Sequence, residues 1–345
     1  MTLEGWGSLS QLPECMAALG IRRPLVVGSP RFTERLAIGG VAFHGYHANP
    51  AFDDCRVGAA LYRQACCDGL ISIGGGSAMD TAKGIKALLI APDEDAALAS
   101  RLPPEARLPH IAVPATAGTG AEVTPVAVLY LGRDKHSVTH PALIPEGVVL
   151  DAALLDTLPP LHRRACALDA LSQGIESWWA VASTPDSRRC AEAAIRGVLE
   201  HLDAYLAGDA AAADAMLHAA WESGRAIALT RTTAAHAMSY QITQRLGVPH
   251  GYACMLTLPH LWRRLLAEQP RALDALAPVM GLSRAEEGPD RLLALLRQLD
   301  MPPVPEPDGA LLDALADSVD VERLGNHPQR LTRADLRAIY EETLR

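Results

Sequence analysis

The sequence predicts an α/β amino-terminal half followed by an all-helical carboxy-terminal half. Three observations predict it. Short apolar runs alternate with helical stretches through the first half, two consecutive prolines (Pro159, Pro160) stop that pattern, and helical periodicity then continues almost to the end. Strand, loop and helix in alternation imply βαβ units and a largely parallel sheet. Paired prolines end whatever precedes them, so the domains are expected at residues 1–158 and 159–345. A chain of 345 residues fits two domains at roughly 150 residues each.

Taken in order, Pro24-Leu25-Val26-Val27 is a short apolar run closed by the breaker cluster Gly28-Ser29-Pro30. Gly69-Leu70-Ile71-Ser72-Ile73 is a second run; it ends in three glycines and leads into a helical stretch through Lys83 and Leu89. His110-Ile111-Ala112-Val113 is a third, residues 126–130 a fourth, and Gly147-Val148-Val149-Leu150-Asp151 the last. From Leu161 onward alanine, leucine, arginine and glutamate recur at helical spacing, as over 191–206 and 210–229. Pro302, Pro303, Pro305 and Pro307 mark a loop between helices.

Composition narrows the function classes. Thirty-one basic against 40 acidic residues leave a net charge of −9, which argues against a nucleic-acid surface yet leaves room for a small anionic substrate. Only 3 Phe, 7 Tyr and 5 Trp are present, too few for base-stacking platforms. No run approaches the roughly 18 apolar residues that span a bilayer, and MTLEGWGSLSQLPEC does not read as a secretory leader. The expectation is a cytoplasmic protein with no membrane partner. Seven scattered cysteines without a CxxC indicate neither a disulfide framework nor a zinc knuckle.

Two loops in the first half suit a phosphate ligand. GGGSAMD at 74–80 follows a buried-strand pattern and precedes a helix. Successive glycines let backbone amides face a ligand, and the helix aims its positive end at the same place. The alternative is a tight strand-to-helix turn, and the spacing is not GxGxxG. PATAGTGAEVTP at 114–125 follows the third strand, where Thr116 and Thr119 could line the same crevice.

The helical half holds a candidate metal set. Asp169 and Gln173 lie four residues apart and share a helix face. His236 is expected near a helix start and His250 at a loop-to-helix junction. A carboxylate, an amide oxygen and two imidazoles would make four ligands. A cap role for Asp169 or His250 and a core role for His236 are the alternatives.

Together these motifs resemble the iron-containing (group III) alcohol dehydrogenase family. The matching strings are GGGSAMDTAK (74–83), PATAGTGAEVTP (114–125), PALIPEGVVLD (141–151), DALSQGIESWW (169–179) and HAMSYQITQRLGVPHG (236–251). The resemblance implies a dehydroquinate synthase-like two-domain fold, with an N-terminal dinucleotide-binding α/β domain and a C-terminal helical domain. It further implies an NAD(P)H cofactor, a divalent metal (Fe2+ or Zn2+) and a homodimer. The pyrophosphate loop then falls on Gly75, Gly76 and Ser77 with Asp80 in support, and further cofactor contacts on Thr116, Thr119 and Lys135. The metal ligands fall on Asp169, His236 and His250. Gln173 stands where the family has a fourth ligand, histidine, and Tyr240 where it has a histidine close to the nicotinamide.

RTTAAHAMSY (231–240) with ALSQGIESWW (170–179) resembles the phosphonoacetaldehyde reductase branch of that family. The branch implies metal-assisted reduction of phosphonoacetaldehyde to 2-hydroxyethylphosphonate, a step of phosphonate natural-product biosynthesis. Arg231, Thr232 and Thr233 would hold the phosphonate, which needs a cation and fixed donors, and Tyr240 would protonate the product. The first strand ends Val27-Gly28-Ser29, with no acid to repel a 2′-phosphate, so NADPH is allowed. The other readings are a short-chain alcohol dehydrogenase of the same family, a dehydroquinate synthase-like sugar-phosphate cyclase, and a non-catalytic binding relic.

Overall fold

The computed structural model describes all residues except 37, 133 and 320–323. The chain divides into two compact units, Met1–Thr157 and Leu158–Arg345. The α/β-then-helical fold class holds. The described strands are β1 (Thr2–Glu4), β2 (Pro24–Gly28), β3 (Val41–Phe43), β4 (Gly69–Gly74), β5 (His110–Pro114), β6 (Val126–Leu131), β7 (Asp134–Thr139) and β8 (Gly147–Leu150). The helices between them are α1 (Leu12–Ala18), α2 (Pro30–Thr33), α3 (Phe52–Gln64), α4 (Gly76–Ile90) and α5 (Glu94–Leu98).

Six strands form one sheet in the order β1-β8-β5-β4-β2-β3, every pairing parallel. β2, β4, β5 and β8 are buried along their whole length, as uninterrupted apolar runs are when helices cover both faces. The faces alternate residue by residue. Leu25 and Val27 pack with Phe52, Cys55, Ile85 and Leu88 from α3 and α4, while Val26 packs with Leu12, Cys15 and Met16 from α1. Strand order runs outward from β2 to β3 on one side and from β4 to β5 on the other. The carboxyl ends of β2 and β4 therefore flank the switch point where open α/β sheets take ligands.

Residues 126–130 depart from the expected parallel pattern. They belong to β6, which pairs antiparallel with β7 in a separate two-stranded sheet. Leu131 pairs with Asp134, and a connection that short admits only antiparallel pairing. β1 and β3, three residues each, were also outside the sequence expectation.

α4 carries two lysines that are fully buried. Lys83 Nζ donates to the Thr124 carbonyl at 2.8 Å, to Thr124 Oγ1 at 3.0 Å and to the Val126 carbonyl at 2.9 Å. Burial pushes its pKa down to about 8, against the pull of Asp80 and Glu122. Lys86 Nζ meets both Glu146 oxygens at 2.9 and 3.0 Å, and Glu146 also accepts the His110 amide at 2.9 Å. These contacts pin α4 to the hairpin and to the segment before β8.

The second unit is helical: α6 (Pro160–Trp179), α7 (Pro185–Leu206), α8 (Ala210–Thr230), α9 (Ala234–Leu246), α10 (His250–Glu268), α11 (Gly288–Gln298), α12 (Gly309–Asp317) and α13 (Arg333–Leu344). Prolines sit at the first turns of α6 and α7, where the missing amide costs nothing. Thr184 caps α7 through the Ser187 amide at 3.1 Å, and Asp209 caps α8 through the Ala212 amide at 2.7 Å. Residues 167–179 of α6 are all buried, which makes it the central helix of the unit. Among the described residues no helix is long and apolar enough to cross a membrane.

Glu146→Ala should lower stability by roughly 3 kcal/mol, the cost of orphaning a buried ammonium, seen as a lower urea midpoint. The double variant Lys86→Met/Glu146→Ala should recover much of that loss.

Candidate cofactor and metal sites

In the first unit the two expected loops come together. Gly74 adopts φ +148, a conformation that glycine enters without strain, and this turns the chain into α4. Gly75 and Gly76 lie against the second loop: a Cβ on Gly75 would be 3.1 Å from Thr116 Cγ2, and one on Gly76 3.2 Å from Thr119 Cγ2. Gly75, Gly76, Ser77, Thr116 and Thr119 are all partly exposed, so the amino-terminal amides of α4 and two threonine side chains share one open edge. The Ser77 hydroxyl donates to the Ala48 carbonyl. Asp80, one turn further, accepts the Val128 amide at 3.1 Å. Burial pushes Asp80 up to about pKa 6, opposed by Lys83, by that amide and by Lys135 on β7.

The second unit builds its site on Glu176. This carboxylate lies seven residues after Asp169 on α6, two helical turns along the same face, and is fully buried. Its Oε1 accepts the Thr233 amide at 3.0 Å, the Thr233 hydroxyl at 2.6 Å and the Ala235 amide at 2.9 Å. Its Oε2 engages His236 Nδ1. An anion at the start of α9 is where a helix receives one best. Burial alone would raise the Glu176 pKa; His236 and Thr233 together hold it below the ordinary carboxylate value.

With Nδ1 anchored, His236 turns Nε2 toward Asp169 Oδ1, 3.2 Å away. His250, the first residue of α10, lies with Nδ1 3.3 Å from Ser239 Oγ and Nε2 4.0 Å from the same Asp169 oxygen. Gly251 makes this approach possible, because a Cβ there would be 2.0 Å from the Ala165 carbonyl and 2.6 Å from Asp169 Cβ. Cys254, one turn along α10, brings Sγ to 3.9 Å from His250 Nε2. Ligand atoms of Asp169, His236, His250 and Cys254 all lie within 4.8 Å of one another. A carboxylate, two imidazoles and a thiol that converge in this way fit a divalent transition metal. The Glu176–His236 contact is the outer support such ligands usually have.

Gln173 shares the Asp169 face of α6, and its Oε1 accepts a hydrogen bond from Ser223 Oγ at 2.8 Å. Tyr240 stacks on His250, ring centroids 5.5 Å apart at 19°. Arg231 is exposed and follows α8 with φ 61 and ψ 178. Thr232 is buried, and its carbonyl accepts from Asn326 Nδ2 at 3.1 Å. The expected phosphonate role of Thr233 needs correction. Its side chain is fully buried, its hydroxyl donates to Glu176, and its oxygen accepts from Trp179 Nε1 at 3.1 Å, so it fixes the carboxylate.

Sequence reasoning missed Glu176 and Cys254. The signals were present as an acidic residue at i+7 from Asp169 and a cysteine at i+4 from His250. Burial pushes the Cys254 thiol up, yet the adjacent His236 and His250 outweigh it and bring its pKa down to about 7.

Residues 1–152 match the family described as iron-containing alcohol dehydrogenase, and residues 164–344 match the carboxy-terminal domain of that family. The chain belongs to the iron-containing alcohol dehydrogenase family. It is 38% identical over 317 residues to the phosphonoacetaldehyde reductase of Streptomyces viridochromogenes, covering 82% of this chain and 79% of that one. It is 32% identical to the probable alcohol dehydrogenase EutG of Salmonella typhimurium, covering 88% and 81%. Among solved structures, the sulfoacetaldehyde reductase of Bifidobacterium kashiwanohense in complex with NAD+ superposes with a TM-score of 0.90 at 25% identity, over 100% of this chain and 96% of that one. As a member of this family the protein is an oxidoreductase of aldehydes and alcohols.

Glu176→Gln should weaken divalent-metal binding by about 10–100-fold, the usual cost of losing such a support, measured by competition against a chromophoric chelator. Gly251→Ala should also cut metal content, while far-ultraviolet dichroism stays near wild type.

Proposed function

We propose that this protein reduces phosphonoacetaldehyde to 2-hydroxyethylphosphonate with NADH or NADPH. The observation that carries the reading is the 38% identity to a phosphonoacetaldehyde reductase over 82% of the chain. One feature of the chain's own geometry supports it. Arg231 occupies a backbone region (φ 61, ψ 178) that is almost confined to glycine and costs about 1–3 kcal/mol elsewhere. Asn326 Nδ2 bridges the carbonyls on either side of it, Thr230 at 2.8 Å and Thr232 at 3.1 Å. A strained arginine clamped in this way is what a fixed guanidinium for an anionic group requires.

In this reading the residues divide the work. Gly75, Gly76 and Ser77 give the cofactor pyrophosphate the amino-terminal amides of α4, with Asp80 holding the hairpin behind them and Thr116, Thr119 and Lys135 completing the cofactor contacts. Asp169, His236 and His250 hold the metal. When bound, the metal supplies a Lewis acid for the carbonyl and the nicotinamide supplies the hydride. Arg231 binds the phosphonate and so orients the aldehyde. Tyr240, stacked on His250, gives its Oη proton to the product oxygen. The neighbour named a sulfoacetaldehyde reductase favours a second reading, a sulfonate aldehyde as the substrate.

Steady-state rates with phosphonoacetaldehyde, sulfoacetaldehyde and propanal decide among these, each with both reduced cofactors. A kcat/KM for the phosphonate no higher than for propanal would overturn the proposal. Arg231→Ala should raise KM for phosphonoacetaldehyde about 10–100-fold, the worth of a charged hydrogen bond, and leave propanal nearly unchanged. Gly75→Val should weaken dinucleotide binding at least about tenfold, one charged-phosphate contact's worth, with metal content intact.

A further inference from the structure

We propose that Cys254, and not Gln173, completes the metal-binding set, so that the site is Asp169, His236, His250 and Cys254 and favours zinc over iron. The proposal rests on the metal reading above and adds the identity of its fourth donor.

Geometry points to the thiol. Tetrahedral zinc with bonds of about 2.0–2.1 Å to nitrogen or oxygen and about 2.3 Å to sulfur places neighbouring donors about 3.3–3.6 Å apart. The separations are 3.2 Å for Asp169–His236, 4.0 Å for Asp169–His250 and 3.9 Å for His250–Cys254. The two longer separations close to that spacing, and the shortest opens to it, by shifts of well under an ångström. Both imidazoles are already set for it, His236 Nδ1 on Glu176 and His250 Nδ1 by Ser239, which leaves the two Nε2 atoms to converge beside Sγ. Cys254 is buried and one α-helical turn from His250, so both donors ride on the same rigid segment of α10.

Gln173 is placed otherwise. Its amide oxygen lies 2.8 Å from the Ser223 hydroxyl, whose single proton it shares with the Ala220 carbonyl 2.7 Å away. Chemistry separates the two candidates further. An amide oxygen is a hard, neutral donor, whereas a thiolate is soft and charged. The thiolate places a second charged donor on the ion beside the Asp169 carboxylate, which the neutral amide cannot do. Softness shifts selectivity toward zinc and away from iron(II), which also stands lower in the divalent affinity order.

Cobalt(II) substitution of the full-length protein reports the donor directly, because a thiolate ligand gives an intense near-ultraviolet charge-transfer band that nitrogen and oxygen donors lack. The wild type should show this band, Cys254→Ser should lose it, and Gln173→Ala should keep it. In competition, wild type should load zinc ahead of iron(II), and Cys254→Ser should reduce that preference. The wild-type spectrum stands even if the serine variant fails to fold. Bound cobalt without the band, or a band that survives in Cys254→Ser, overturns the assignment of Cys254 and leaves the metal reading standing. A wild type that binds no divalent ion by elemental analysis overturns both.

Discussion

The helical unit is organised around one buried carboxylate. Glu176 has no exposure, and burying an ionised group is costly unless hydrogen bonds and opposite charge surround it. Here they do: three donors from the 233–235 turn on one oxygen, and an imidazole on the other. The constraint reaches in two directions. It fixes where α9 begins, and it fixes which nitrogen of His236 faces Asp169. Thr233 and Trp179 extend the network outward, and Trp179 packs edge-on against Trp262 and His327, with centroids 6.0 and 5.8 Å away.

In the α/β unit a comparable role falls to the buried lysines of α4. Lys83 and Lys86 carry their charge to the hairpin and to Glu146 respectively. The helix whose amino terminus follows the glycine turn is therefore held at both its hairpin side and its sheet side. A phosphate-binding helix needs this rigidity, since its amides act only when aimed at a fixed point.

Much of the architecture was legible in the sequence. The buried strands β2, β4, β5 and β8 stand out as apolar runs closed by breakers, and the helical half by its periodicity. The hairpin was not, because residues 126–130 look like any other short strand and only the partner segment 134–139, polar and half-exposed, reveals the pairing. What local spacing carries is position: Asp169 and Gln173 on one face of α6, and the glycine turn ahead of α4. The site was illegible where the chemistry depends on a partner far along the chain. Thr233 looks like a substrate donor until Glu176, 57 residues earlier, is found on its hydroxyl. Cys254 has no cysteine partner at metal-ligand spacing, and a search for CxxC passes over a donor whose neighbour is a histidine one turn away.

The groups that satisfy Glu176 come from segments far apart in the chain, since Thr233, Ala235 and His236 lie 57 to 60 residues after it, and this bears on how the helical unit assembles. The carboxylate is satisfied only once α6 and the start of α9 have docked. Neither segment can bury its share of this charge alone, so the two halves of the network become ordered together.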